Sequence, residues 1–143
     1  MPFKVTESWA GLMPITNDPK SDQKFFFWLW PAMNKESTND VVIWLNGGPG
    51  CSSNEGNLQE LGPLNFPWNV TGSPDRPYVE KNPYAWNNLA TLLFVEQPIS
   101  TGFSTGTPTA KNEVDVANQF FGFLEKFYDV FPELHGKNLW ITG

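Results

Sequence analysis

Apolar positions along this chain fall into short blocks separated by turn-forming residues, followed by one long block with helical spacing. The run Lys24-Phe25-Phe26-Phe27-Trp28-Leu29-Trp30 predicts a strand stopped by Pro31, because aromatic residues suit a pleated surface and proline cannot extend a ladder. Residues 41–45, Val-Val-Ile-Trp-Leu, and 91–95, Thr-Leu-Leu-Phe-Val, predict two more strands, apolar on both faces. Ahead of them, Ser8-Trp9-Ala10-Gly11-Leu12 and Pro14-Ile15 read as short extended pieces, and residues 17–22 as a turn. Strand, turn, strand, turn, strand over the first 45 residues predicts an antiparallel beginning to a sheet.

From Asn112 the spacing changes. Val114, Ala117, Phe120, Phe121, Leu124, Phe127 and Tyr128 recur at three- and four-residue intervals, which predicts an amphipathic helix ended by Pro132. Leu139-Trp140-Ile141-Thr142 then begins another strand. Asn57 to Leu61 predicts one or two helical turns closed by Gly62-Pro63, and the Pro- and Gly-rich residues 62–90 a long connection. Strand, loop, strand, helix, strand is the order of a parallel α/β sheet with helices on its faces.

The totals narrow the class. A chain of 143 residues is about one domain long, and seven Trp, twelve Phe and three Tyr demand a real core. Only 17% of residues are charged, far from the composition of disorder. A net charge of −6 excludes the basic face that nucleic acid requires. No apolar run approaches the roughly 20 residues that span a bilayer, and Met1-Pro2-Phe3-Lys4 opens no apolar signal core, so no secretory signal is visible. Asn69-Val70-Thr71 fits an N-glycosylation acceptor. No His, Cys or Asp cluster has metal-ligand spacing, and neither a metal nor a cofactor is implied. The single cysteine, Cys51, admits three readings: a nucleophile, a small buried residue, or half of a bridge to sequence outside this chain.

The strand at 41–45 breaks into Asn46-Gly47-Gly48-Pro49-Gly50-Cys51-Ser52-Ser53. Such a loop bares backbone N–H groups to a small anion or an oxyanion, and is equally a tight turn with positive φ values. A G-x-S-x-G pattern occurs at Gly102-Phe103-Ser104-Thr105-Gly106, and Ser104, Asp115 or Asp129, and His135 follow in the chain order of an α/β-hydrolase triad. The context is wrong, because Thr107-Pro108-Thr109 follows in place of a helix start, so Ser104 is not expected to be a nucleophile. His135, the only histidine, falls in a surface connection, and Glu60 reads as a solvated helix carboxylate.

Taken together, Trp44-Leu45-Asn46-Gly47-Gly48-Pro49-Gly50-Cys51-Ser52-Ser53, Glu60-x-Gly62-Pro63, Asn82-Pro83-Tyr84-x-Trp86, Glu96-Gln97-Pro98 with Thr101-Gly102-Phe103-Ser104, and Ile141-Thr142-Gly143 resemble the serine carboxypeptidase family. Ser8-Trp9-Ala10-Gly11 and Phe25-Phe26-Phe27-Trp28 extend the resemblance over essentially the whole chain. It implies an α/β-hydrolase fold and release of C-terminal residues from peptides through an acyl-enzyme, at acid pH, in a vacuolar, lysosomal or secreted setting. Gly48 would give an oxyanion N–H, while the Asn46 side chain, the Gly47 backbone and Glu60 would hold the substrate's terminal carboxylate. Glu60 would share protons with a second Glu, since carboxyl groups grip a carboxylate only in that way. Cys51 would pair with a cysteine outside this chain.

Departures from the family pattern bear on activity. The family continues Ile-Thr-Gly into Glu-Ser-Tyr, which supplies the nucleophile and the second Glu, whereas Gly143 is the last residue here. The expectation is therefore the N-terminal part of one α/β-hydrolase domain, residues 1–143, truncated before the nucleophile elbow and inactive alone. Peptide C-termini would be its ligands and the rest of the same domain its partner. The alternatives are a non-catalytic fragment or pseudo-enzyme that binds peptide C-termini, and an acyltransferase on the same scaffold. Ser100 replaces a usual Gly, and Asn54-Glu55 replace more apolar residues.

Overall fold

The structure, a computed structural model, describes residues 3–34, 39–66 and 79–143. The strands are β1 (Trp9–Pro14), β2 (Lys24–Trp30), β3 (Asp40–Trp44), β4 (Leu64–Asn65), β5 (Glu80–Lys81), β6 (Thr91–Glu96) and β7 (Asn138–Thr142). The helices are α1 (Asn54–Gln59) and α2 (Glu113–Val130). Five strands form one sheet in the order β1-β2-β6-β3-β7, and β4 pairs with β5 separately.

β1 and β2 pair antiparallel, as do β2 and β6, whereas β3 runs parallel to both β6 and β7. The antiparallel reading of the first 45 residues therefore holds for β1 and β2 alone. β6 separates β2 from β3, because strands apolar on both faces bury best inside a sheet with covered faces. A parallel pair needs a long crossover, which the segment containing α1 provides from β3 to β6 and α2 provides from β6 to β7.

Side chains alternate between the two faces with the period of the pleat. Phe25, Phe27, Leu29, Val41, Ile43, Leu93 and Val95 pack with Phe123 and Phe127 of α2. Trp30, Leu92 and Phe94 face the other way, with Leu58 of α1 and Leu64 against them. Each fully buried Phe of α2 contributes about 1.5–3 kcal/mol through removal from water. Asn112 caps α2 by accepting the Asp115 N–H at 3.0 Å.

α1 begins three residues before the predicted Asn57. Ser53 stands at its N-cap, yet its hydroxyl donates to the Val95 carbonyl at 2.6 Å, so the helix start is fixed by the sheet and not by a local cap.

Candidate active site

Parallel alignment brings the C-terminal ends of β3, β6 and β7 to one edge of the sheet, the edge where open α/β sheets bind ligands. The glycine loop 46–50 leaves β3 there, the second loop 98–106 leaves β6, and Gly143 follows β7. Thr142 accepts the Leu45 N–H at 3.0 Å, and a Cβ on Gly143 would lie 2.4 Å from the Leu45 carbonyl oxygen. The end of β7 is thus packed against the residue that precedes Asn46.

Gly47, Gly48 and Gly50 are exposed, and their N–H groups donate to no acceptor among the described residues. Gly48 has φ +131° and Gly50 φ +96°, values that L side chains rarely adopt, as the tight-turn reading of this loop requires. The Asn46 side chain is oriented by Trp44, whose indole N–H donates to Oδ1 at 2.6 Å. That leaves Nδ2 as the outward donor, and it reaches Glu55 Oε2 at 3.4 Å. Glu60 stands exposed at the C-cap of α1. Its N–H donates to the Gly56 carbonyl at 3.2 Å, and a Cβ on Gly56 would lie 3.0 Å from Asn46 Oδ1, so one turn of α1 connects Glu60 to Asn46. Cys51 is an exposed free thiol. Asn69 lies outside the described residues.

Ser104 and His135 do other work. Ser104 is buried, donating to the Glu96 carbonyl at 2.5 Å and accepting the Phe26 N–H at 2.8 Å, so its hydroxyl ties β2 to the loop after β6. His135 is exposed and stacks on Tyr128 with ring centroids 4.9 Å apart. Burial pushes the Tyr128 phenol above its ordinary value.

Sequence reasoning missed the polar network beneath the glycine loop. Glu96, only 1% exposed, accepts hydrogen bonds from the Ser52 hydroxyl, the Asn54 amide at 2.8 Å and the Phe103 N–H. Asn54 Oδ1 accepts from Asn57, and Asn57 Oδ1 accepts from the Trp30 indole at 3.0 Å. The polar Asn54, in place of an apolar residue, is therefore matched to a buried partner. Ser53 Oγ accepts the Asn46 N–H at 3.1 Å, which joins the candidate site to this support. A signal existed: Glu96 falls on the inward period of Leu92 and Phe94, a carboxylate where the pleat requires burial.

This strand order, with a glycine loop after β3 and a helix crossing to β7, defines an α/β-hydrolase. The chain belongs to the serine carboxypeptidase family, whose model matches residues 2–143. It is 47% identical to a carboxypeptidase Y homolog of Arthroderma benhamiae over 143 residues, 100% of this chain and 27% of the relative. It is 42% identical to carboxypeptidase Y of Saccharomyces cerevisiae over 94% of this chain and 24% of that protein. Another relative, 37% identical over 97% of this chain and 25% of its own length, is a vacuolar serine-type carboxypeptidase of Saccharomyces cerevisiae. Among solved structures, Kex1(delta)p, a prohormone-processing carboxypeptidase from Saccharomyces cerevisiae, superimposes with a TM-score of 0.81 at 28% identity, covering 96% of this chain and 30% of that one. The chain thus spans roughly a quarter of the length of the relatives it matches. No helix among the described residues is long and apolar enough to cross a membrane.

Proposed function

We propose that these residues are the oxyanion loop and half of the terminal-carboxylate site of a serine carboxypeptidase, the N-terminal part of a single α/β-hydrolase domain. The observation that carries this reading is the juxtaposition at the sheet edge. Unpaired N–H groups of Gly47 and Gly48 stand on a loop whose first residues pack against the end of β7, where the nucleophile elbow of an α/β-hydrolase follows.

In this reading a serine supplied after β7 attacks the last peptide carbonyl, and the Gly48 N–H donates to the oxygen as charge develops on it. Preorganised donors of this kind need no reorganisation at the moment of reaction. Asn46 Nδ2 and the Gly47 N–H hold the substrate's terminal carboxylate, and Glu60 joins them through a shared proton. Charge-assisted hydrogen bonds of fixed direction select a free C-terminus over an amide. Cys51, exposed and unpaired here, bridges to a cysteine elsewhere in the full-length protein, whose setting is vacuolar, lysosomal or secreted. Asn69 is its glycosylation acceptor.

Kinetics of the full-length protein test the assignment. A hydrogen bond to a charged group is worth about 1.5–3 kcal/mol, so Asn46→Ala is expected to raise KM for a blocked peptide acid roughly ten- to a hundredfold. The same peptide as a C-terminal amide is expected to respond little, because that interaction is absent from it. Equal effects on acid and amide would contradict the role given to Asn46.

A further inference from the structure

Glu96 is the only carboxylate among the described residues that is fully buried, and it makes no ion pair there. Three donors hold it, from the glycine loop, the first residue of α1 and the second loop. Ser52 and Asn54 lie on the glycine-loop side, and Phe103 lies on the second loop. Oε1 takes the first two and Oε2 the third, so one side chain fixes the spacing between the loops. The second loop comes close only because Gly102 has φ +52°, and a Cβ there would lie 2.2 Å from the Glu96 carboxyl. A single residue earlier, the Val95 carbonyl accepts Ser53 Oγ–H, and Ser53 in turn accepts the Asn46 N–H.

We propose that Glu96 is a positioning residue that sets the glycine loop in register with the sheet edge, and so aims the Gly48 N–H and the Asn46 side chain at the substrate. The inference rests on the functional reading above and deepens it. Glu96 touches no substrate; it acts through Ser52 and Asn54, which flank the Ser53 that accepts the Asn46 N–H. Three hydrogen bonds to one buried carboxyl group form a stiff clamp, since every donor is a backbone group or a short side chain. Loosening it shifts the donors by a fraction of an ångström, and displacements near one ångström cost about a hundredfold in rate.

The test uses the full-length protein with active sites counted by a serine-directed reagent, so that misfolded molecules drop out of the comparison. Glu96→Gln keeps the shape and places an amide N–H against one of the donors. Its kcat per titrated site is expected to fall about ten- to a hundredfold, and its preference for peptide acid over peptide amide to shrink in parallel. Asn54→Ala, which removes one donor and leaves Glu96 in place, is expected to change both quantities in the same direction by less, and serves if Glu96→Gln yields no folded protein. A role confined to stability reduces the number of titrated sites and leaves per-site kcat and the acid preference unchanged; that result in both variants overturns the inference. A wild-type protein that releases no C-terminal residue overturns the functional reading instead.

Discussion

Ser100 is the one described non-glycine residue with positive φ, at +77°. The left-handed region costs an L-residue about 1–2 kcal/mol, while glycine loses about 0.5–1 kcal/mol more backbone freedom on folding. Ser100→Gly is therefore expected to stabilise the full-length protein by about 0.5–1 kcal/mol, read as a higher urea midpoint; a lower midpoint would contradict the strain. The family's glycine at this position acquires a backbone reason. Asn54 gains one as well, through Glu96. Neither was legible from the residue alone, because strain and partnership depend on where the two loops meet. That Gly47 and Gly48 leave their N–H groups unpaired was legible, since glycines breaking an apolar strand form a loop outside the ladder. Glu55 stands out in the sequence only as a departure from more apolar residues; that it accepts from the Asn46 amide at 3.4 Å depends on α1 beginning at Asn54.

Elements were read well where periodicity was long. α2 runs from an Asn112 cap to the stop at Pro132, although it buries Phe123 and Phe127 and leaves Val114 and Phe121 of the expected stripe exposed, and β2, β3, β6 and β7 coincide with their blocks to within a residue. Strand order was read only in part, because sequence adjacency does not reveal that β6 inserts between β2 and β3. The edge strand β7 carries its own pH-sensitive fastening. Asp40 on β3 accepts from the Trp140 indole at 2.8 Å and from Asn138 at 3.1 Å, and these bonds hold its carboxyl below the ordinary 3.8. A group with a depressed folded pKa stabilises above its unfolded value and loses that contribution as pH falls through the folded one. Asp40→Asn is thus expected to speed amide exchange in β7 near pH 7 and to converge on wild type as the pH falls through the lowered Asp40 value, where both side chains become uncharged. A difference that persists in acid would show the charge to be irrelevant.

For the molecule as a whole, β7 marks the side on which the fold is open. Trp140 is 57% exposed and Ile141 60%, on opposite faces of a parallel strand, a type normally covered on both. Relatives about four times as long as the chain supply ample sequence to cover such an edge. In the proposed reading the glycine loop supplies donors to a nucleophile carried elsewhere in the full-length protein. The central role proposed for these residues is recognition of a carboxylate by amide N–H groups together with Glu60. The most direct measurement is the affinity of the full-length protein for a slowly cleaved peptide acid and for its amide, from about pH 4 to about pH 8. The acid should bind more tightly than the amide at the lower end, and its advantage should decline as the shared protons are lost. Equal affinity for acid and amide, or an acid affinity constant across that range, would contradict the assignment.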